Sequence, residues 1–249
     1  MKVFYFTGSG NSLAVAKQFG EPINIATCTQ REYADESIGI VFPVYCYDIP
    51  LIVRDFLHRV KLDSPYIWTI GTCGSSVGYS FYTIDALLKK QGAKLSYSQK
   101  IIMPDSCIAF KTPSPEKEQM LAAEQDTVAA FKADISAKKT NLKQKDKLFP
   151  IDKIAWWGIK TLFGAKRKKV TEACTACGIC AKICPTQNIK IDGKPSFGNN
   201  CEYCFGCIQW CPERAIEFGK LKIDDSSQYT HPSLKASELI LRNKREQPK

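Results

Sequence analysis

The chain is 249 residues long, enough for two small domains rather than one large one, and 44% of it is hydrophobic, enough for packed cores. Its net charge of +10 does not mark a nucleic-acid face: residues 1–137 carry 13 basic and 14 acidic side chains and residues 171–249 carry 11 and 9, so the excess sits in residues 138–170, with 11 and 2. Twelve cysteines, an apolar start that stops at Thr7 and the lack of any run of 18 apolar residues argue for a reducing cytoplasm, against a secretory signal and against a membrane-spanning helix.

Residues 2–7 read as a short buried strand, and residues 13–19 as a helix. Between them stands Thr7-Gly8-Ser9-Gly10-Asn11-Ser12, a loop whose backbone N–H groups and hydroxyls suit a phosphate. The loop lacks the lysine of a G-x-x-x-x-G-K-S/T P-loop. Leu13 stands where a dinucleotide fingerprint needs its third glycine, and no acidic residue closes the next strand, 23–26. ATP and NAD are therefore poor ligands for it. A phosphate held by hydroxyls without a lysine resembles the FMN phosphate loop of flavodoxins, Ser/Thr-x-Ser/Thr-Gly-x-Ser/Thr.

Strands at 38–45, 65–73 and 95–103 alternate with helices at 49–60, 78–91 and 116–139. This alternation predicts an α/β doubly wound parallel sheet of five strands. The flavodoxin resemblance, over about residues 1–140, implies the order 2-1-3-4-5, with the ligand beyond the strand C-termini. It also implies two further flavin loops: Pro43, Val44, Tyr45, Cys46, Tyr47 and Asp48 after the third strand, and Thr72, Cys73, Gly74 through Gly78 after the fourth. Tyr45 or Tyr47 would stack on the ring, or else is an ordinary loop tyrosine. Cys46, Cys73 and Cys107 follow strand ends, where a thiol either tunes a flavin or fills a small apolar slot; Cys28 reads as packing. His58 and His231 read as surface histidines. No Ser-His-Asp set or H-E-x-x-H appears, so no catalytic residue is assigned.

Residues 141–170 read as a basic, aromatic-rich connector. Its apolar middle, 148–163, flanked by lysines up to Lys169, has three readings: an interfacial membrane helix, a docking surface for an acidic redox partner, or a strap that packs its tryptophans between domains. The strap is the reading carried forward, and a membrane surface through residues 148–169 is not.

The densest signal follows. Cys174, Cys177, Cys180 and Cys184-Pro185 form C-x2-C-x2-C-x3-C-P, and Cys201, Cys204, Cys207 and Cys211-Pro212 repeat it. That spacing is the bacterial two-cluster ferredoxin run, in which three cysteines wrap one cubane and the fourth reaches the other. One 4Fe–4S cluster is thus assigned to Cys174, Cys177, Cys180 and Cys211, the second to Cys201, Cys204, Cys207 and Cys184. Structural zinc uses separate C-x2-C pairs, which this is not. Ile179, Ile183, Ile189, Ile191, Ile208, Ile216 and Phe218 are expected to shield the clusters. Gly178 and Gly206 are read as equivalent positions, and the halves end alike at Asn188–Ile191 and Ala215–Phe218. Residues 171–220 would form a small α+β ferredoxin domain, and 221–249 a polar tail with a helix at 233–243 and a disordered end.

As a whole the chain resembles flavodoxin–ferredoxin fusion proteins. The resemblance implies an electron carrier that passes electrons between two 4Fe–4S clusters and FMN, with protein redox partners. The alternative is a flavin-dependent reductase of a small molecule fed by its own clusters, for which Asp48, Asp105 and His58 are the only acid–base candidates.

Overall fold

The computed structural model describes residues 1–108, 112–141, 168–219, 223–224 and 226–241. They fall into two compact units. The first comprises residues 1–7, 11–104 and 112–141 of these; the second comprises 8–10, 105–108 and the described residues from 168 onward. The expectations for the connector's middle, 148–163, and for the chain's end, 243–249, lie outside the described residues.

In chain order the first unit contains β1 (Lys2–Tyr5), α1 (Asn11–Lys17), β2 (Ile23–Asn24), a 3-10 turn (Ile25–Thr27), β3 (Glu32–Ala34), β4 (Ile38–Pro43), α2 (Leu51–Arg59), β5 (Lys61–Asp63), β6 (Ile67–Cys73), α3 (Ser80–Lys89), β7 (Leu95–Ile102), α4 (Ser114–Ala122) and α5 (Glu124–Ser136). Five strands form one sheet in the order β2-β1-β4-β6-β7, every pair parallel. Counted among themselves these strands run 2-1-3-4-5, as expected. All seven residues of β6 are buried, as are five of the six in β4. A strand covered on both faces needs apolar residues on both, which is why these two read as continuous apolar runs. Gly39 makes room for Trp68: a Cβ there would stand 2.2 Å from the indole, which is fully buried.

Two expectations change. The helix over 116–139 is two helices, α4 and α5, meeting at Ala123. Only α5 has an apolar stripe, Val128, Phe131 and Ile135, to lay on the sheet. A second, two-stranded parallel sheet, β3 with β5, was not expected. Each strand has three residues and buries one, Tyr33 or Leu62, too short a pattern to show periodicity.

The second unit contains β8 (Lys168–Val170), β9 (Ile189–Asp192), β10 (Lys194–Phe197), β11 (Ile216–Phe218) and three one-turn helices, Ile179–Lys182, Gly206–Gln209 and Ala236–Leu239. β8 pairs antiparallel with β11, and β9 with β10. The core holds Ile108, Cys180, Ile189, Ile208, Ile216 and Phe218. Ile183 is buried too, but Ile191 is 38% exposed and shields nothing, because it points outward from an edge hairpin. The stretch read as a polar tail is partly packed: Ser227, Tyr229, His231, Leu234 and Leu239 are buried, and its helix is only Ala236–Leu239.

The internal repeat is written in the backbone. Positive φ recurs at Ala176 and Tyr203 (54° and 58°), at Gly178 and Phe205 (76° and 54°), and at Gln187 and Arg214 (52° and 48°). The partner of Gly178 is therefore Phe205, not Gly206; each precedes its half's one-turn helix. A non-glycine residue held left-handed costs about 1–2 kcal/mol. The Phe205 ring offsets part of this by packing edge-on against Phe218, with centroids 5.5 Å apart.

Candidate functional site

The eight cysteines of the double run are grouped by the fold as two quartets. Cys174, Cys177, Cys180 and Cys211 line one pocket together with Ile179, Pro195 and Ile216. As a free thiol, Cys180 is pushed up to about 11 by burial, which the Ala181 N–H partly opposes; the thiols acting on it are Cys211, Cys177 and Cys174. The second quartet shows the same selectivity. Burial pushes Cys204 well above the ordinary thiol value against the Gly206 N–H, and Cys207, Cys184 and Cys201 push the same way. Cys207 is raised to about 12, first by burial; Lys168 lowers it, and Cys201, Cys184 and more weakly Cys180 raise it. Buried thiols of this kind ionise only when a positive centre is supplied, as a metal supplies it.

The crossing of the fourth cysteines follows from the one-turn helices. Each helix carries the chain from the third cysteine of its triplet to the fourth, away from its own loop. The two crossing sulfurs are held alike: Asn188 N–H donates to Cys184 Sγ at 3.2 Å and Ala215 N–H to Cys211 Sγ at 3.3 Å. All twelve cysteines of the chain are free thiols. Among the described residues no three His, Cys, Asp or Glu side chains converge as a single-ion site. A cubane presents four irons, one per thiolate, so its ligands stand around a larger body than one ion. The quartets fit such a group.

Lys168, hidden from sequence reading inside a basic run, is a residue of this site. Its side chain is buried, and Nζ donates to Cys201 Sγ at 3.1 Å while lying 5.5 Å from the Phe197 ring centroid. Burial lowers its pKa, but the thiols of Cys207, Cys201 and Cys204 outweigh that and raise it overall. Its strand, β8, pairs with the end of the second half, which brings residue 168 to a cluster loop more than thirty residues away.

The second unit is also tied by polar side chains that the sequence did not flag. Trp210 Nε1 donates to the Gly8 carbonyl at 2.9 Å, and His231 N–H to the Ser9 carbonyl at 2.9 Å. A Cβ on Gly10 (φ 110°) would stand 3.0 Å from the His231 Cβ. His231 is therefore a buried packing residue rather than a surface one. Gln209 donates to the Ser106 carbonyl at 2.6 Å and accepts from Tyr229 N–H at 2.7 Å.

In the first unit, loops gather at the C-terminal ends of β1, β4 and β6. Ser12 and Thr72 share a hydrogen bond between their hydroxyls, 2.8 Å, and Asn11 donates to the Pro104 carbonyl at 3.0 Å. Val44 N–H donates to the Thr72 carbonyl at 2.9 Å, and Tyr79 N–H to the Tyr47 carbonyl at 2.8 Å. Cys46 and Tyr47 are both left-handed, and Tyr47 is 40% exposed. Tyr45 instead packs edge-on against Phe6, 6.2 Å between centroids. Thr7, Pro43 and Val44 are half-buried, Thr72, Cys73 and Gly78 buried, and Gly74 exposed. Within this unit the loops after β4 and β6 are thus adjacent, and Ser12 and Asn11 bond to Thr72 and to the Pro104 carbonyl beside them. Asp48 is buried in an ion pair with Arg54, 2.6 Å. Cys28 and Cys73 are buried, Cys46 and Cys107 half-buried.

No curated protein sequence matches the chain. Among solved structures it is similar to the one described as "The Structure of Trp Repressor Binding Protein from Bacillus subtilis", at 13% identity and a TM-score of 0.31, over 49% of this chain and 95% of that one. A likeness at that score carries no argument. Among the described residues no helix is long and apolar enough to cross a membrane. Residues 168–190 match the family of the 4Fe-4S binding domain, so the chain carries a ferredoxin-type domain near its C-terminus, and iron–sulfur electron transfer is the chemistry that domain supports.

Proposed function

We propose that this protein is a cytoplasmic electron carrier that holds two 4Fe–4S clusters and FMN and exchanges electrons with protein redox partners. The observation that carries the reading is the sorting of eight cysteines into two quartets, across the order in which they occur in the chain. Cys174, Cys177, Cys180 and Cys211 would hold one cluster, and Cys184, Cys201, Cys204 and Cys207 the other. A cubane passes single electrons, whereas a flavin takes one or two; a chain with both converts between the two regimes.

The flavin half is supported by a flavodoxin-like arrangement: five parallel strands with the loops gathered at one edge. Thr7, Gly8, Ser9, Gly10, Asn11 and Ser12 would take the phosphate. Pro43, Val44, Tyr45 and Tyr47, with Thr72, Cys73, Gly74 and Gly78, would flank the ring, and Tyr47, 40% exposed, would stack on it. The domains in this reading are 1–140 for FMN, 141–170 as connector, 171–220 for the clusters and 221–249 as a C-terminal segment.

The test is anaerobic reconstitution followed by iron, sulfide and flavin analysis of one sample with its absorption spectrum. The expected result is about eight irons and one FMN per chain. Eight irons with no FMN after its addition overturns the flavin half, and one bound zinc in place of iron overturns the cluster half.

A further inference from the structure

The two quartets do not stand in equal fields. Lys168 is 9% exposed and its ammonium donates to Cys201 Sγ at 3.1 Å. It acts on Cys207 and Cys204 as well, three of the four cysteines of the second quartet, and it is the strongest charge on Cys207. Among the described residues, the charged groups acting on Cys180 of the first quartet are its fellow thiols and not a cation. The charged side chain that lines its pocket is the carboxylate of Glu213, and Cys177 there is exposed. Adding an electron to a cluster adds negative charge. A nearby buried cation stabilises that charge strongly, because little solvent screens it, and a hydrogen bond to a ligand sulfur acts in the same sense. A carboxylate does the reverse.

We propose that Lys168 raises the reduction potential of the cluster that Cys184, Cys201, Cys204 and Cys207 would hold above the value it would have without that charge, and leaves unmoved the potential of the one that Cys174, Cys177, Cys180 and Cys211 would hold. This rests on the two-cluster reading above. The side chain of Glu202, next to Cys201 in the chain, is buried too, so the effect of Lys168 is read by changing Lys168 alone.

The experiment is a potentiometric titration of the anaerobically loaded full chain, followed by electron paramagnetic resonance, with iron counted in every sample. The wild type is expected to bind about eight irons and to take up two electrons, one per cluster. Lys168→Gln keeps a hydrogen-bond donor and removes the charge; it should lower the potential of one cluster and leave the other in place. Lys168→Arg keeps the charge and should leave both in place. Glu213→Gln should raise the potential that Lys168→Gln leaves unmoved. Lys168→Gln with both potentials unmoved, or both moved equally, overturns the proposal. Should that variant lose a cluster, it must be the one that Cys201→Ala also removes; loss of the one that Cys174→Ala removes overturns the assignment. About four irons and one electron in the wild type overturns the two-cluster reading itself, and this inference with it.

Discussion

Phe205 and Gly78 show two ways in which a single position is constrained. Phe205 holds a left-handed backbone that its counterpart Gly178 adopts freely, and the aromatic contact with Phe218 compensates. Gly78 has no such option: at φ 52°, a Cβ would lie 2.1 Å from the Tyr47 carbonyl oxygen. Gly78→Ala is expected to cost about 2 kcal/mol or more, from the left-handed penalty and the clash together, read as a lower denaturation midpoint. An unchanged midpoint would mean that loop 43–48 shifts without cost. Asp105 is a carboxylic acid whose ionisation the fold opposes. Burial raises its carboxyl above the usual carboxylate range, and the N–H groups of Cys107 and Ser106 only partly offset this. A raised acid contributes stability that is full below the unfolded value, near pH 4, and is lost as pH rises through the folded value. Asp105→Asn keeps an oxygen for the Cys107 N–H, which donates to Oδ1 at 2.7 Å. It should therefore flatten the decline in stability above about pH 4. An equal slope in the variant would show that another group is responsible. The sequence named Gly78 as a loop residue and Asp105 as a candidate acid, but not the constraint on either, which depends on the surroundings the fold gives it.

At the scale of elements, the one-turn helices matter more than their length suggests. Ile179–Lys182 and Gly206–Gln209 move the fourth cysteine of each half out of its own loop, and this exchange makes the quartets interlocked rather than sequential. The exchange predicts which cysteine pairs act together. Cys174→Ala with Cys211→Ala should remove one cluster and leave about four irons, whereas Cys207→Ala with Cys211→Ala should remove both. No iron in the first double and about four irons in the second would mean that each run of four cysteines serves its own cluster. The larger elements were legible because burial on both faces leaves an unbroken apolar run, as in β4 and β6. The short ones were not. β3, β5 and β8 have three residues each and are held by a neighbour, not by a pattern of their own, and the break of the long helix at Ala123 carries neither glycine nor proline to signal it.

At the scale of the molecule, the second unit is assembled from three separate pieces of chain; Trp210 and His231 tie the last to the first, and Gln209 ties the last to the second. It reaches Ser106 on one side and Tyr229 on the other from within the cysteine run. Gln209→Leu leaves a carbonyl and an N–H unsatisfied in a buried setting, a loss of about 2 kcal/mol or more. Denaturation of the full chain followed by iron absorbance should show the second unit failing earlier; an unaltered midpoint would mean that water replaces both bonds. The ferredoxin-type domain could be read from cysteine spacing alone, because a cubane imposes its own distances on any chain that binds it. The alternation of buried strands and helices gave a five-stranded parallel sheet, and its order was implied by the flavodoxin resemblance rather than by the pattern itself. Lys168, Trp210, His231 and the packing of residues 227–239 could not. Charge and aromaticity are properties of a residue, but burial and partnership belong to the surroundings, and these are set only when remote segments close upon one another.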